Sequence, residues 1–148
     1  MHTVIAEAAD YFALLKSIHG SIDDLTDSLT EEEWLRRPQD NFNNIASIVD
    51  HVTRVEKRFM AAIAGETIDT DAGAPFKATH WNVAVIRQAW RDALAYSETV
   101  LDQLTEADLV KPGLTLRIGD LNRRQLIVYT IAHTTHHRGQ IPLVVKQF

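Results

Sequence analysis

Four long stretches of this chain repeat apolar residues every three or four positions, and glycine, proline or asparagine punctuates the segments between them. That period is the helical one, so each stretch carries an apolar face that water disfavours and that another such face can cover. The first stretch runs from about Thr3 to Leu29, with Val4, Ala8, Tyr11, Phe12, Leu15, Ile18, Ile22 and Leu25 along its stripe. The second, about Asn44 to Ala64, opens behind the capping residues Asn41, Asn43 and Asn44 and stops at Gly65. The third spans about Asn82 to Leu104. The fourth begins near Asp120 or Asn122 and continues to about Lys146. Pro142 lies inside it, removing a backbone hydrogen bond, and is expected to kink the helix close to its end. Glu66 to Thr79, with Gly73 and Pro75, reads as a long loop, and Thr115-Leu116-Arg117-Ile118 alternates too briefly to be more than a connector. A chain of 148 residues can build one core but not two domains of ordinary size, so a single domain over 1–148 is expected.

Two short segments echo each other. Thr30 is followed three positions on by Glu33, then by Trp34, Leu35 and Pro38; Thr105 is followed by Asp108, then by Leu109 and Pro112. A threonine with an acidic residue three places later is the signature of a capped helical turn. The chain therefore reads as two copies of helix, short turn, helix.

The second long helix of one copy carries His51, and that of the other carries His133, His136 and His137. At about 100° per residue, His133 and His137 lie about 40° apart and one turn along the axis, so both imidazoles can reach one ion. His136, three residues from His133, is the rival for the second position. His51 lies beside Ile48, Val52, Val55 and Phe59 rather than with Arg54, Lys57 and Arg58, so it is expected to point inward and to supply the third ligand. Zinc, nickel, copper and iron all accept imidazole nitrogen, and three protein ligands with an open position is a catalytic pattern. Tyr129, Thr130 and Gln140 share the face of His133 and His137, where polar groups among core residues need partners. Tyr129, Gln140 and His136 are the candidates to surround the ion and orient a substrate.

Composition narrows the chemistry. The chain has no cysteine, which removes disulfides, thiolate ligands and a protein thiol nucleophile, and leaves His, Asp and Glu to hold a metal. A net charge of −5 argues against binding a phosphate backbone, and the pairs Arg36-Arg37 and Arg123-Arg124 read as solvated faces. The acidic residues Asp23, Asp24, Asp27 and Glu31 to Glu33 read the same way. No apolar run reaches the roughly 20 residues that span a bilayer, and Met1-His2-Thr3-Val4 lacks the basic start and apolar run of a secretory signal, so a cytoplasmic location is expected.

The segment Asn43 to Phe59, together with Ile131-Ala132-His133-Thr134-Thr135-His136-His137-Arg138-Gly139-Gln140-Ile141, resembles the DinB-like superfamily of metal-dependent enzymes. The similarity extends over nearly the whole chain, and its most specific part is the closing His-x-x-x-His followed by Arg-Gly-Gln. The resemblance implies an all-α four-helix bundle of up-down-down-up type. It also implies a zinc, nickel or similar divalent ion bound by three histidines, which map onto His51, His133 and His137. Members of known chemistry transfer or rearrange groups using low-molecular-weight thiols such as bacillithiol or mycothiol, and several are homodimers. The extra C-terminal domain of the mycothiol-dependent isomerases is not expected here, which weakens the transfer of that particular activity.

The function expected from these features is a metal-dependent transferase acting on a small-molecule substrate with such a thiol as cosubstrate. The alternatives are a small-molecule metallohydrolase and a non-enzymatic metal-dependent binding or stress protein. Protease action of the His-Glu-x-x-His kind is not expected, because Thr134 stands where the general-base glutamate belongs. A homodimer is expected mainly from the resemblance, with some support from the aromatic residues Trp34, Trp81 and Trp90 near helix ends.

Overall fold

Three of the four long helices start at an asparagine whose side chain accepts from the backbone N–H three residues on: Asn44 from Ser47, Asn82 from Val85 and Asn122 from Gln125. Each cap satisfies a donor that the helix end would otherwise strand. In the computed structural model, which describes residues 2–148, the long helices are α1 (Ala6–Thr26), α3 (Ile45–Ile63), α5 (Val83–Asp102) and α7 (Arg123–Val145). Between them lie the short turns α2 (Glu31–Leu35), α4 (Ala74–Lys77) and α6 (Glu106–Leu109), and a hairpin of β1 (Pro112–Leu116) with β2 (Gly119–Asn122).

The echo in the sequence is real local structure. Thr30 and Thr105 each form a reciprocal capping box, with Glu33 and Asp108 respectively, and the residues that follow, Trp34 and Leu109, are both buried. Pro142 sits one turn from the end of α7, and the helix continues through it to Val145.

The hairpin corrects the expected connector. Thr115 pairs with Asp120 and Leu116 with Gly119, and Gly119 takes a φ of 125° that favours glycine. Leu114, Leu116 and Leu121 pack onto the core, while a side chain at position 113 would meet the Leu121 carbonyl oxygen at 2.9 Å. Strands this short leave little period to read, and their stability comes from the helices they lie against.

Helix directions follow from side-chain pairs. Arg124 donates to Glu7 and Arg138 to Ser21, so equal steps along α1 and α7 bring partners together and those helices are parallel. Trp90 reaches Asp23 and Arg87 reaches Asp27, making α1 and α5 antiparallel. His51 meets His137 while Phe59 meets Tyr129, making α3 and α7 antiparallel. The order is up-down-down-up.

The core falls into two apolar clusters. One holds Leu15, Val55, Phe59, Met60, Ile63, Leu101 and Leu126; the other holds Ile22, Trp34, Ile48, Val52, Trp90 and Ile141. Between them, at the middle of the bundle, lie buried polar residues: His19, Thr53, Glu56, Ser97, Thr130, Thr134 and His137. Trp34 and Trp90 are 2% and 4% exposed, so these two tryptophans belong to the core and offer no surface to a second chain.

Candidate metal centre

His51 projects from α3 and His133 and His137 project from successive turns of α7, and the three rings meet at the midpoint of the bundle. The Nε2 atom of His133 lies 3.1 Å from that of His51 and 3.1 Å from that of His137. His51 and His137 have their other ring nitrogen already committed. The Nδ1 of His51 is 2.6 Å from the Ala72 carbonyl oxygen, and the Nδ1 of His137 is 2.7 Å from Oε1 of Gln140. An oxygen of either kind only accepts, so both Nδ1 atoms carry the proton and both Nε2 atoms present a lone pair.

That leaves a conflict among the three converging nitrogens. If His133 carries a proton on Nε2, it has one N–H to offer to two lone pairs; if not, three lone pairs face one another. A cation resolves the conflict. Zinc–nitrogen distances of about 2.0–2.1 Å place ligand nitrogens about 3.4 Å apart in a tetrahedron and about 2.9 Å apart in an octahedron. The two separations measured from His133, 3.1 Å each, fall between these values, and all three ligand nitrogens lie within 4.8 Å of one another. The residues therefore fit a divalent transition metal.

Electrostatics favours the same state. Burial pushes the His133 imidazole down to about 3, with the positive forms of His137 and His51 adding to the effect. Burial also lowers His137, partly offset by its bond to Gln140. These rings are held neutral at pH 7, which is the form that binds metal.

The other residues singled out by sequence occupy different places. His136 is exposed, its ring 5.0 Å from that of His137, and it is outside the triad. Tyr129 is half-buried one turn before His133, with its ring 5.9 Å from Phe59. Gln140 faces the back of His137 rather than the converging nitrogens. Phe76 packs 4.6 Å from His51, so α4, a short helix inside the segment expected to be a loop, supplies an aromatic wall and the turn before it supplies, through Ala72, a hydrogen-bond acceptor.

Sequence reasoning missed a second polar cluster. His19 Nε2 lies 2.7 Å from Glu56 Oε1, Ser97 donates to Glu56 Oε2 at 2.8 Å, and the His19 ring stacks on Trp90 at 3.6 Å. The signal was present: His19 falls between Leu15 and Ile22, and Glu56 between Val52 and Phe59, each interrupting an apolar stripe.

Comparison with known proteins agrees with this architecture. The structure superimposes on a DinB-like protein of Bacillus subtilis, YjoA, with a TM-score of 0.70 at 18% identity, covering 93% of this chain and 90% of that one. YfiT of Bacillus subtilis, a protein with an unusual four-helix bundle topology, gives 0.74 at 11% identity, covering 99% and 90%. At these identities the likeness shows the fold alone. No protein of curated function matches the sequence. The model of the DinB superfamily matches residues 15–141, a span that contains all three converging histidines, and the chain belongs to that superfamily.

Proposed function

We propose that this chain is a metal-dependent enzyme in which His51, His133 and His137 hold one divalent ion, zinc or nickel, and that it transfers a group between a low-molecular-weight thiol and a small electrophile. The observation that carries the metal is the meeting of three neutral imidazole nitrogens among which at most one N–H is available, because His51 and His137 hold their proton on the opposite nitrogen. Such an ion supplies Lewis acidity and makes a coordinated thiol or water more acidic.

The choice of thiol over water rests on which bases the chain provides. Hydrolysis is helped by a carboxylate beside the metal, as in the zinc proteases. On α3 the two carboxylates are engaged elsewhere, Asp50 with Arg54 at 3.0 Å and Glu56 with His19 and Ser97. A thiol, with an ordinary pKa of about 8.5, needs far less assistance than water at about 15.7. Tyr129, one turn before the pair on α7, and His136, between its two members, are the groups proposed to orient the electrophile.

Hydrolysis is the second reading, favoured by the description of YfiT as a probable metal-dependent hydrolase. Product formation from several thiols and electrophiles, measured with native, chelated and His137→Ala protein, tests both. Turnover that needs metal, thiol and His137 supports transfer. Metal-dependent release of product without thiol supports hydrolysis, and equal rates in all three samples reject a metal reaction altogether. A homodimer, expected on family grounds, is tested by sedimentation at micromolar concentration, where a mass near twice that of the chain is the expected result.

A further inference from the structure

The inner faces of the three histidines are alike, but their outer faces are not. His51 is held from behind by a main-chain carbonyl, that of Ala72, and His137 by a side chain, that of Gln140; among the described residues no hydrogen bond holds the Nδ1 of His133. Only one of these supports is a side chain.

We infer that Gln140 is a positioning residue for the metal centre: by accepting the Nδ1 proton of His137 it fixes which ring nitrogen is free and aims that nitrogen at the ion. The inference rests on the metal site proposed above. Its geometry is local, because residues three apart on a helix are neighbours, so Gln140 reaches His137 without any contribution from another element. The bond of 2.7 Å joins a half-buried amide to a buried ring, and it resists competition from water better than a fully exposed pair would. With the acceptor gone, the neutral ring is free to carry its proton on Nε2 instead. That places a hydrogen where the ion must bind, and the ring must then change tautomer and orientation before it can ligate. His51 is spared this cost because its acceptor is backbone.

Two consequences separate positioning from simple packing. Gln140→Leu keeps much of the side chain's bulk but has no acceptor, so zinc affinity should fall by about 10–100-fold. Gln140→Glu keeps the acceptor and adds charge, so affinity should stay within a few fold of native or rise. A residue that merely fills space predicts no such split.

The experiment combines zinc competition titrations on native, Leu and Glu proteins with nitrogen-15 spectra of histidine-labelled, metal-free protein. Far-UV circular dichroism checks that each variant is folded. The expected result is a His137 ring protonated on Nδ1 in native and Glu proteins, a mixed or reversed tautomer in the Leu variant, and affinity loss in the Leu variant alone. Native affinity in the Leu variant, equal losses in Leu and Glu, or a native His137 protonated on Nε2 would each overturn the inference. Native protein that takes up no zinc, nickel or cobalt overturns the metal centre, and with it Gln140's role toward an ion. The metal-free spectrum tells that failure apart from an error about the Gln140 bond itself.

Discussion

Two polar clusters cross the middle of this bundle, and they are built on opposite terms. In the His19–Glu56–Ser97 cluster both oxygens of the Glu56 carboxylate have found partners inside the protein, and both ionisable side chains are at most 2% exposed. In the His51–His133–His137 cluster the outward nitrogens of two rings are satisfied while the three inward ones compete. A closed network fixes how helices sit against one another; an unsatisfied one reserves a place for something from outside. α3 carries both, with His51 toward α7 and Glu56 toward α1 and α5, so one helix serves two roles little more than a turn apart.

The largest expected effect is on stability. Glu56→Ala leaves the buried His19 without its acceptor and Ser97 with the Ala93 carbonyl alone, and breaking such a buried pair costs about 3–5 kcal/mol. Chemical denaturation should show that loss while folded protein still takes up one metal per chain. If metal uptake disappears from the folded variant as well, the clusters are not independent. Next comes metal itself: free zinc at about 100 times its dissociation constant should stabilise native protein by about 2.7 kcal/mol. His133→Ala should lose that increment yet remain close to native in its metal-free melting, the reverse of the Glu56 pattern. A smaller loss, about 2 kcal/mol, is expected for Ser97→Ala, which removes one hydrogen bond to a buried carboxylate while keeping His19 in place. Stability should fall and zinc affinity should not.

What could be read from the sequence follows the same division. The long helices were legible because their apolar periods and asparagine caps are local, and the threonine turns were legible for the same reason. His133 and His137 stood out because four residues on a helix is a contact distance, and His51 because its place beside an apolar stripe was anomalous. His19 and Glu56 are anomalous in the same way, but each is one residue on its own helix, and only knowledge that α1 faces α3 joins them. The Ala72 carbonyl carries no sequence signal, since every residue has one. The hairpin was missed because Pro112–Leu116 and Gly119–Asn122 take their stability from the core beneath them.

The smallest expected effect concerns a third kind of polar contact, the pair at the surface. Glu7 accepts from Arg124 at 2.6 Å, with both side chains more than a third exposed, and ties α1 to α7. The Arg124 hydrogen bond, with a second from Tyr11, holds the Glu7 carboxyl below its ordinary value of 4.5. A carboxylate lowered in the folded state binds its proton more readily when the chain unfolds, so its contribution is complete above pH 4.5 and lost as pH falls through the lower folded value. Glu7→Gln should therefore weaken native protein slightly at pH 7 and flatten the fall of stability below pH 4.5. Added salt should shrink the difference at pH 7, because exposed pairs are screened. Glu56→Ala should show much less relief by salt, since its lost partners are shielded from solvent. Denaturation midpoints at two salt concentrations check this. Equal salt sensitivity in the two variants would mean that burial does not separate these contacts in the way the geometry says it does.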